Sequence, residues 1–270
     1  MSDSKHHARK NKYNMKRSEE LFLRKNNRVL NVYCTAGYPA FDSTLELMKS
    51  LQAHGADIIE LGMPYSDPLA DGPVIQQSSM DALSNGMTIA ALFAQLSDMR
   101  KEIHIPVILM GYLNPVMQYG FERFCQDAAM VGIDGLILPD LPEFEYESVY
   151  GPVMQRYGLD FIFLVTPETS EARVRKLDSL STGFLYVVSS SSTTGSDKQM
   201  DPVADYLKRL KGYALRNPLL VGFGIKDKAS FDAACTYANG AIIGSAYIRA
   251  ISEAGDIDLA TKEFLDSVLQ

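Results

Sequence analysis

Apolar and polar positions alternate along this chain in blocks. After a polar start one pattern recurs: a short apolar run ends in Gly, Pro, Ser or Asp, and a segment of helical period follows. The runs are Val29–Cys34, Ile58–Leu61, Pro106–Met110, Gly135–Leu138, Phe161–Val165, Phe184–Val188, Leu219–Val221 and Ala241–Ile243, eight in all. Val107-Ile108-Leu109-Met110 and Ile162-Phe163-Leu164-Val165 are continuous hydrophobics. Strands covered by helices on both faces read this way, which predicts a parallel sheet.

The intervening segments carry helical signals. Ser43-Thr44-Leu45-Glu46 fits a capping box, with Leu47, Met48 and Leu51 on one face and Gly55 where the helix should stop. Amphipathic stretches also cover Ile89–Lys101, Phe121–Val131, Tyr146–Tyr157, Ser170–Leu180, Pro202–Lys211 and Ala229–Ala238. Strand and helix alternate with short links, so right-handed crossovers follow. Eight units predict one (β/α)8 TIM barrel over residues 15–270, within the usual length for that fold. An open doubly wound sheet is the rival, but no GxGxxG turn follows the first strand.

Composition narrows the class. The 270 residues are 46% hydrophobic and 22% charged, with a net charge of -7. That acidity argues against a general nucleic-acid binder, though a local patch could still hold one phosphate. Cys34, Cys125 and Cys235 lie far apart and read as reduced thiols of a cytoplasmic protein. His6, His7, His54 and His104 lack ligand spacing, so no metal site is expected. No stretch approaches the ~20 apolar residues that cross a bilayer. Residues 1–14 are polar and basic, and read as a disordered arm or a tag remnant, with the native start near Met15.

Chemistry is expected at the C-terminal ends of the strands. Glu60 is an ionisable group inside the second apolar run. It calls either for an ion-pair partner or for a raised pKa suited to general acid–base work. The following loop, Met63 to Pro73, holds Asp67, Asp71 and three prolines, which stiffen it. Asp71 precedes Gly-Pro and opens the next helix, so it is either a helix cap or a second working carboxylate. Val221-Gly222-Phe223-Gly224-Ile225 and Ile243-Gly244-Ser245-Ala246 end the last two strands. They are either tight turns or the phosphate site of this fold. Ser189 to Gly195 is small and polar, which suits a mobile lid or a merely flexible loop.

The run Glu60-Leu61-Gly62-Met63-Pro64-Tyr65-Ser66-Asp67-Pro68-Leu69-Ala70-Asp71-Gly72-Pro73 resembles the signature of the tryptophan synthase alpha-subunit family. Thr35-Ala36-Gly37-Tyr38-Pro39, Met110-Gly111-Tyr112-Leu113-Asn114-Pro115, Leu138-Pro139-Asp140-Leu141-Pro142 and both glycine turns extend the resemblance over roughly Ser18 to Leu269. It implies a (β/α)8 barrel that cleaves indole-3-glycerol phosphate to indole and glyceraldehyde 3-phosphate, without a cofactor. It also implies a beta-subunit partner in an alpha2beta2 tetramer.

The resemblance makes Glu60 the catalytic acid–base and Asp71 the carboxylate that binds the indole N–H. It places Gly224, Gly244 and Ser245 on the phosphate, Tyr186 and the lid residue Thr194 on the substrate side, and Tyr33, Met110, Ile137 and Phe223 around the indole. It places Asp67, Tyr112, Asn114 and Pro115 at the beta-subunit contact. The lid departs from the common family pattern: Ser192-Thr193-Thr194-Gly195 replaces Gly-Val-Thr-Gly, with Ser190 at a usually basic position. The competing functional readings are another phosphate-binding barrel enzyme and a non-catalytic subunit that only activates its partner.

Overall fold

The structure is a computed structural model, and it describes residues 15–188, 200–222 and 224–270. The parallel strands are β1 (Val29–Thr35), β2 (Ile58–Gly62), β3 (Val107–Met110), β4 (Gly135–Ile137), β5 (Asp160–Phe161), β6 (Leu164–Val165), β7 (Leu185–Val188), β8 (Leu219–Gly222) and β9 (Gly240–Ile243). Their order is β5-β4-β3-β2-β1-β9-β8-β7-β6. The two outer strands are therefore neighbours in sequence. They are the two halves of the fifth expected strand, and hydrogen bonding carries on between them. Ile162 N donates to Leu136 O at 3.0 Å, and Tyr186 N donates to Phe163 O at 3.0 Å. Eight staves thus close into a barrel, and the fifth stave turns from one neighbour to the other at Ile162-Phe163. Phe163 N donates to the Ser181 hydroxyl at 3.0 Å, which supports the chain where the ladder is interrupted.

Helices follow the staves around the outside. Five lie close to the expected spans: Thr44–Ala53, Phe121–Met130, Glu171–Leu180, Met200–Gly212 and Lys228–Cys235. The stretch over Ile89–Lys101 is α-helical only to Gln95 and tightens to 3-10 geometry from Leu96. The stretch at Tyr146 starts earlier, at Glu143, and widens to π geometry over Tyr146–Tyr150. Helices at Pro73–Ser84, Leu113–Tyr119, Ser245–Ile251 and Ile257–Leu269 complete the ring, and the helix Arg17–Arg24 precedes β1.

One capping expectation fails. Ser43 does precede the helix Thr44–Ala53, but its backbone is helical and its side chain caps nothing. The hydroxyl instead donates to Ala40 O at 2.7 Å, closing the turn before the helix. Gly55 does follow the helix end, with φ +108, a conformation that disfavours a side chain.

The base of the barrel is tied by carboxylates. Asp134 accepts from Val107 N at 2.8 Å and from Arg17 at 2.9 Å, and pairs with Arg100. Asp160 accepts from Lys16 and Ser18, each at 2.6 Å. Asp57 accepts from Leu30 N at 2.8 Å and from Lys25 at 2.6 Å. These bonds fasten the helix Arg17–Arg24 under the strand beginnings, with Leu21 buried against the core. The opposite end, where the strands finish, is left for chemistry.

Candidate active site

Register sets the site. Tyr33 on β1 is the partner of Glu60 on β2, and Glu60 is the partner of Ile108 on β3. Two residues on, Thr35, Gly62, Met110 and Ile137 form the next row across β1 to β4. Side chains two apart on a strand share a face. Asn31, Tyr33 and Thr35 therefore rise in layers on one face, as do Ile58, Glu60 and Gly62.

Glu60 is 1% exposed. Burial pushes its carboxyl up to about 8. The Asn31 amide works against that push, donating through Nδ2 to Oε2 at 2.8 Å, while nearby Asp71 adds to it. Neither group is a cation, so among the described residues Glu60 has no ion-pair partner. A carboxyl of this kind keeps its proton at neutral pH and can still surrender it.

Asp71 lies on the loop after β2. It is not a helix cap, because Gly72 is the N-cap of the helix Pro73–Ser84 and no side chain caps that end. Its Oδ2 accepts from the Tyr112 hydroxyl at 3.2 Å. Burial raises the Asp71 carboxyl to about 6, and the Tyr112 bond opposes the rise. Two neighbouring carboxyls thus have different affinities for a proton, which suits two roles.

Two tyrosines wall the chamber in the same manner. Tyr33 leans from β1 over Gly62 of β2, and Tyr186 leans from β7 over Gly222 of β8. In both cases the glycine pairs with the residue two beyond the tyrosine. A Cβ on either glycine would collide with the phenol. Both phenols are held well above their ordinary pKa, chiefly by burial, with Glu60 and Asp71 adding to it. They stay neutral. Thr35 donates to the Tyr33 hydroxyl at 3.4 Å and shares a 2.7 Å bond with Ser78.

Met110 and Ile137 are buried at the ends of β3 and β4, apolar and two residues above the row of Glu60. Gly244 precedes the helix Ser245–Ile251, and Ser245 begins it. A Cβ on Gly244 would touch Tyr33 and Ile75, so this turn borders the same chamber. Gly224 is exposed, with φ +79. Thr194 and Phe223 lie outside the described residues.

The expected partner-contact residues divide. Asp67 and Asn114 are exposed and Pro115 is half-buried. Tyr112 is buried, with its hydroxyl on Asp71 and on Ala70 N, so its side chain serves the site. Asn114 reaches Tyr65 at 3.1 Å, which links the β2 loop to the helix Leu113–Tyr119. Sequence reading missed Asn31, although a polar amide within Val29-Leu30-Asn31-Val32-Tyr33 was a visible signal. It also missed that Tyr112 would turn inward.

All three cysteines are buried and free. Among the described residues, no helix is long and apolar enough to cross a membrane.

Comparison with known proteins matches this geometry to one family. The family model described as tryptophan synthase alpha chain matches residues 21–267. The tryptophan synthase alpha chain of Flavobacterium johnsoniae is 50% identical over 234 residues, covering 86% of this chain and 92% of that protein. The crystal structure of tryptophan synthase subunit alpha from Legionella pneumophila superposes with a TM-score of 0.86 at 36% identity, covering 94% of this chain and 97% of that one. A chain of the tryptophan synthase complex from Pyrococcus furiosus does so at 0.82 and 33%, covering 91% and 99%. The fold is the TIM barrel of these neighbours, and the chain belongs to the tryptophan synthase alpha chain family.

Proposed function

We propose that this chain is the alpha subunit of tryptophan synthase, a carbon–carbon lyase of tryptophan biosynthesis. It cleaves indole-3-glycerol phosphate to indole and glyceraldehyde 3-phosphate, and it passes indole to a beta subunit in an alpha2beta2 assembly. We read residues 15–270 as one domain working in the cytoplasm. The observation that carries the reading is Glu60. It is a wholly buried carboxyl with no cation beside it among the described residues, pushed up to about 8, with a second carboxyl close by.

Cleavage requires the ring carbon to leave with a bonding pair. Protonation of indole C3 by the Glu60 acid turns the ring into an electron sink. The Glu60 carboxylate then takes the proton of the hydroxyl on the attached carbon. The carbon–carbon bond breaks, that carbon becomes the aldehyde, and indole is released. Asp71, ionised above about 6, accepts a hydrogen bond from the ring N–H and offsets the positive charge that develops there. Glu60 returns to the acid, so the cycle needs no outside proton source.

Tyr33, Met110, Ile137 and Phe223 form the apolar seat of the ring in this reading. Tyr186 lies beside the substrate and Thr194 closes over it. Gly224, Gly244 and Ser245 hold the phosphate at the far end, where backbone amides and a hydroxyl meet an anion. Binding at both ends aligns the bond to be broken.

The exposed loop around Asp67 and Leu69 adjoins Asn114 and Pro115, and supplies the face for the beta subunit. Leu69 is 88% exposed, an apolar side chain suited to burial in an interface.

Indole release from indole-3-glycerol phosphate, measured with and without a beta subunit, tests this reading. Slow release alone and faster release with the partner support it. No release in either condition, from folded protein, points to a binding-only subunit or another substrate.

A further inference from the structure

Asn31 is fully buried on β1, two residues before Tyr33 on the same face. Its backbone is fixed on both sides, paired with Ile58 of β2 and Ile242 of β9. Among the described residues its side chain makes one hydrogen bond, from Nδ2 to Glu60 Oε2 at 2.8 Å. Its Oδ1 is buried with no hydrogen-bond partner. A buried amide kept for packing has both ends satisfied, and an orphaned acceptor costs about 1–3 kcal/mol. This amide is committed to Glu60 alone.

We propose that Asn31 is a positioning residue: it pins Oε2 of Glu60 and so makes Oε1 the oxygen that carries the catalytic proton. The proposal rests on the reading that Glu60 exchanges protons with substrate. The physical reason is the one-way character of an amide N–H. Nδ2 can only donate, so Oε2 must present a lone pair to it whether Glu60 is acid or carboxylate. The proton is left to Oε1, which has no hydrogen bond among the described residues. The bond also steadies the rotation of the carboxyl group, whose last torsion is otherwise soft.

The same bond sets the pH window, because it favours the carboxylate over the acid. The other titratable groups acting on Glu60 are Tyr33 and Cys34 from β1, Asp71 from the β2 loop and Tyr186 from β7. None is a cation. Asn31 is thus the group that brings the Glu60 acid back toward neutrality.

Asn31→Leu keeps the shape and removes the donor. The basic limb of kcat/KM should move upward by roughly 1–2 pH units. Asn31→Asp keeps the shape and supplies an acceptor opposite Oε2, drawing the proton to the wrong oxygen. Its limb should move at least as far, with kcat reduced about tenfold or more beyond the Leu variant. An infrared titration of the Glu60 acid band, identified by its loss in Glu60→Gln, should show the same upward shift without any turnover. A limb and an infrared titration that stay put in whichever variant folds, with only a uniform loss of rate or stability, would overturn the proposal. If the unsubstituted chain released no indole, the functional reading would fail while the infrared titration still decided the role of Asn31.

Discussion

The hydroxyl of Tyr112, two residues past β3, donates to the carboxylate of Asp71 on the β2 loop at 3.2 Å. The bond favours ionised Asp71 and lowers a pKa that burial raises to about 6. Tyr112→Phe keeps the ring against Tyr65, 5.3 Å away between centroids, and removes only the hydroxyl. In the proposed mechanism Asp71 works as an anion, so kcat/KM falls as pH drops through its pKa. Losing the donor raises that pKa, and the acid limb should move up by roughly one unit. The substrate phosphate also titrates near 6, but equally with both enzymes, so the difference between their profiles is the readout. Superimposable acid limbs would remove Tyr112 from this role.

Gly62 and Gly222 are where two phenols cross to the neighbouring strand. Gly62→Ala or Gly222→Ala should push Tyr33 or Tyr186 out of the chamber wall. The crowding costs about 1–3 kcal/mol of stability. A misaligned substrate should lower kcat/KM by about tenfold or more. Steady-state kinetics beside urea unfolding separates the two effects. Unchanged kinetics would mean that neither phenol shapes the site.

The base of the barrel should behave oppositely. Asp134→Ala strands the Val107 amide and the Arg100 guanidinium, both of which it holds. A loss of about 3 kcal/mol in urea unfolding is expected, with turnover per folded molecule nearly unchanged. Strong loss of turnover at full stability would contradict the division between a structural base and a catalytic top.

Glu60 makes stability depend on pH. Its folded pKa, about 8, lies above the ordinary 4.5. Below the ordinary value the side chain is neutral in both states, and burying it carries no charge penalty. As pH rises from there toward 8, the unfolded chain ionises first and folding loses free energy; above 8 the loss is complete. Gln never ionises. Glu60→Gln should therefore be more stable than the parent at about pH 9, by the order of 2 kcal/mol or more. The gap should close toward about pH 5. A gap independent of pH would mean that Glu60 is not held as an acid.

Much of this was legible in the chain. The continuous apolar runs located every stave, because strands covered on both faces leave no room for alternation. The fifth stave read as one strand, Phe161–Val165, since hydrophobicity reports burial and not which neighbour each residue pairs with. Glu60 stood out as a carboxylate in an apolar strand. That no described residue supplies it a counter-charge could only be seen once the barrel closed. Ser43 had the residue pattern of a cap, yet tertiary packing turned its hydroxyl to Ala40. Tyr112 sat in a segment assigned to the partner, and only its register beside the β2 loop shows it serving Asp71. Asn31 needed the β1–β2 register before a polar residue in a strand became a partner for Glu60.

The central claim is that Glu60 delivers the proton that starts cleavage. The direct measurement is the pH profile of kcat/KM for indole release, with the unsubstituted chain and with Glu60→Gln. The expected profile is a bell with limbs near 6 and 8, set by Asp71 and Glu60, with a Gln variant that is folded and about a thousandfold slower or more, within the range of a lost general acid–base. A Gln variant with substantial activity, or a parent whose rate does not fall above about pH 8, would contradict it.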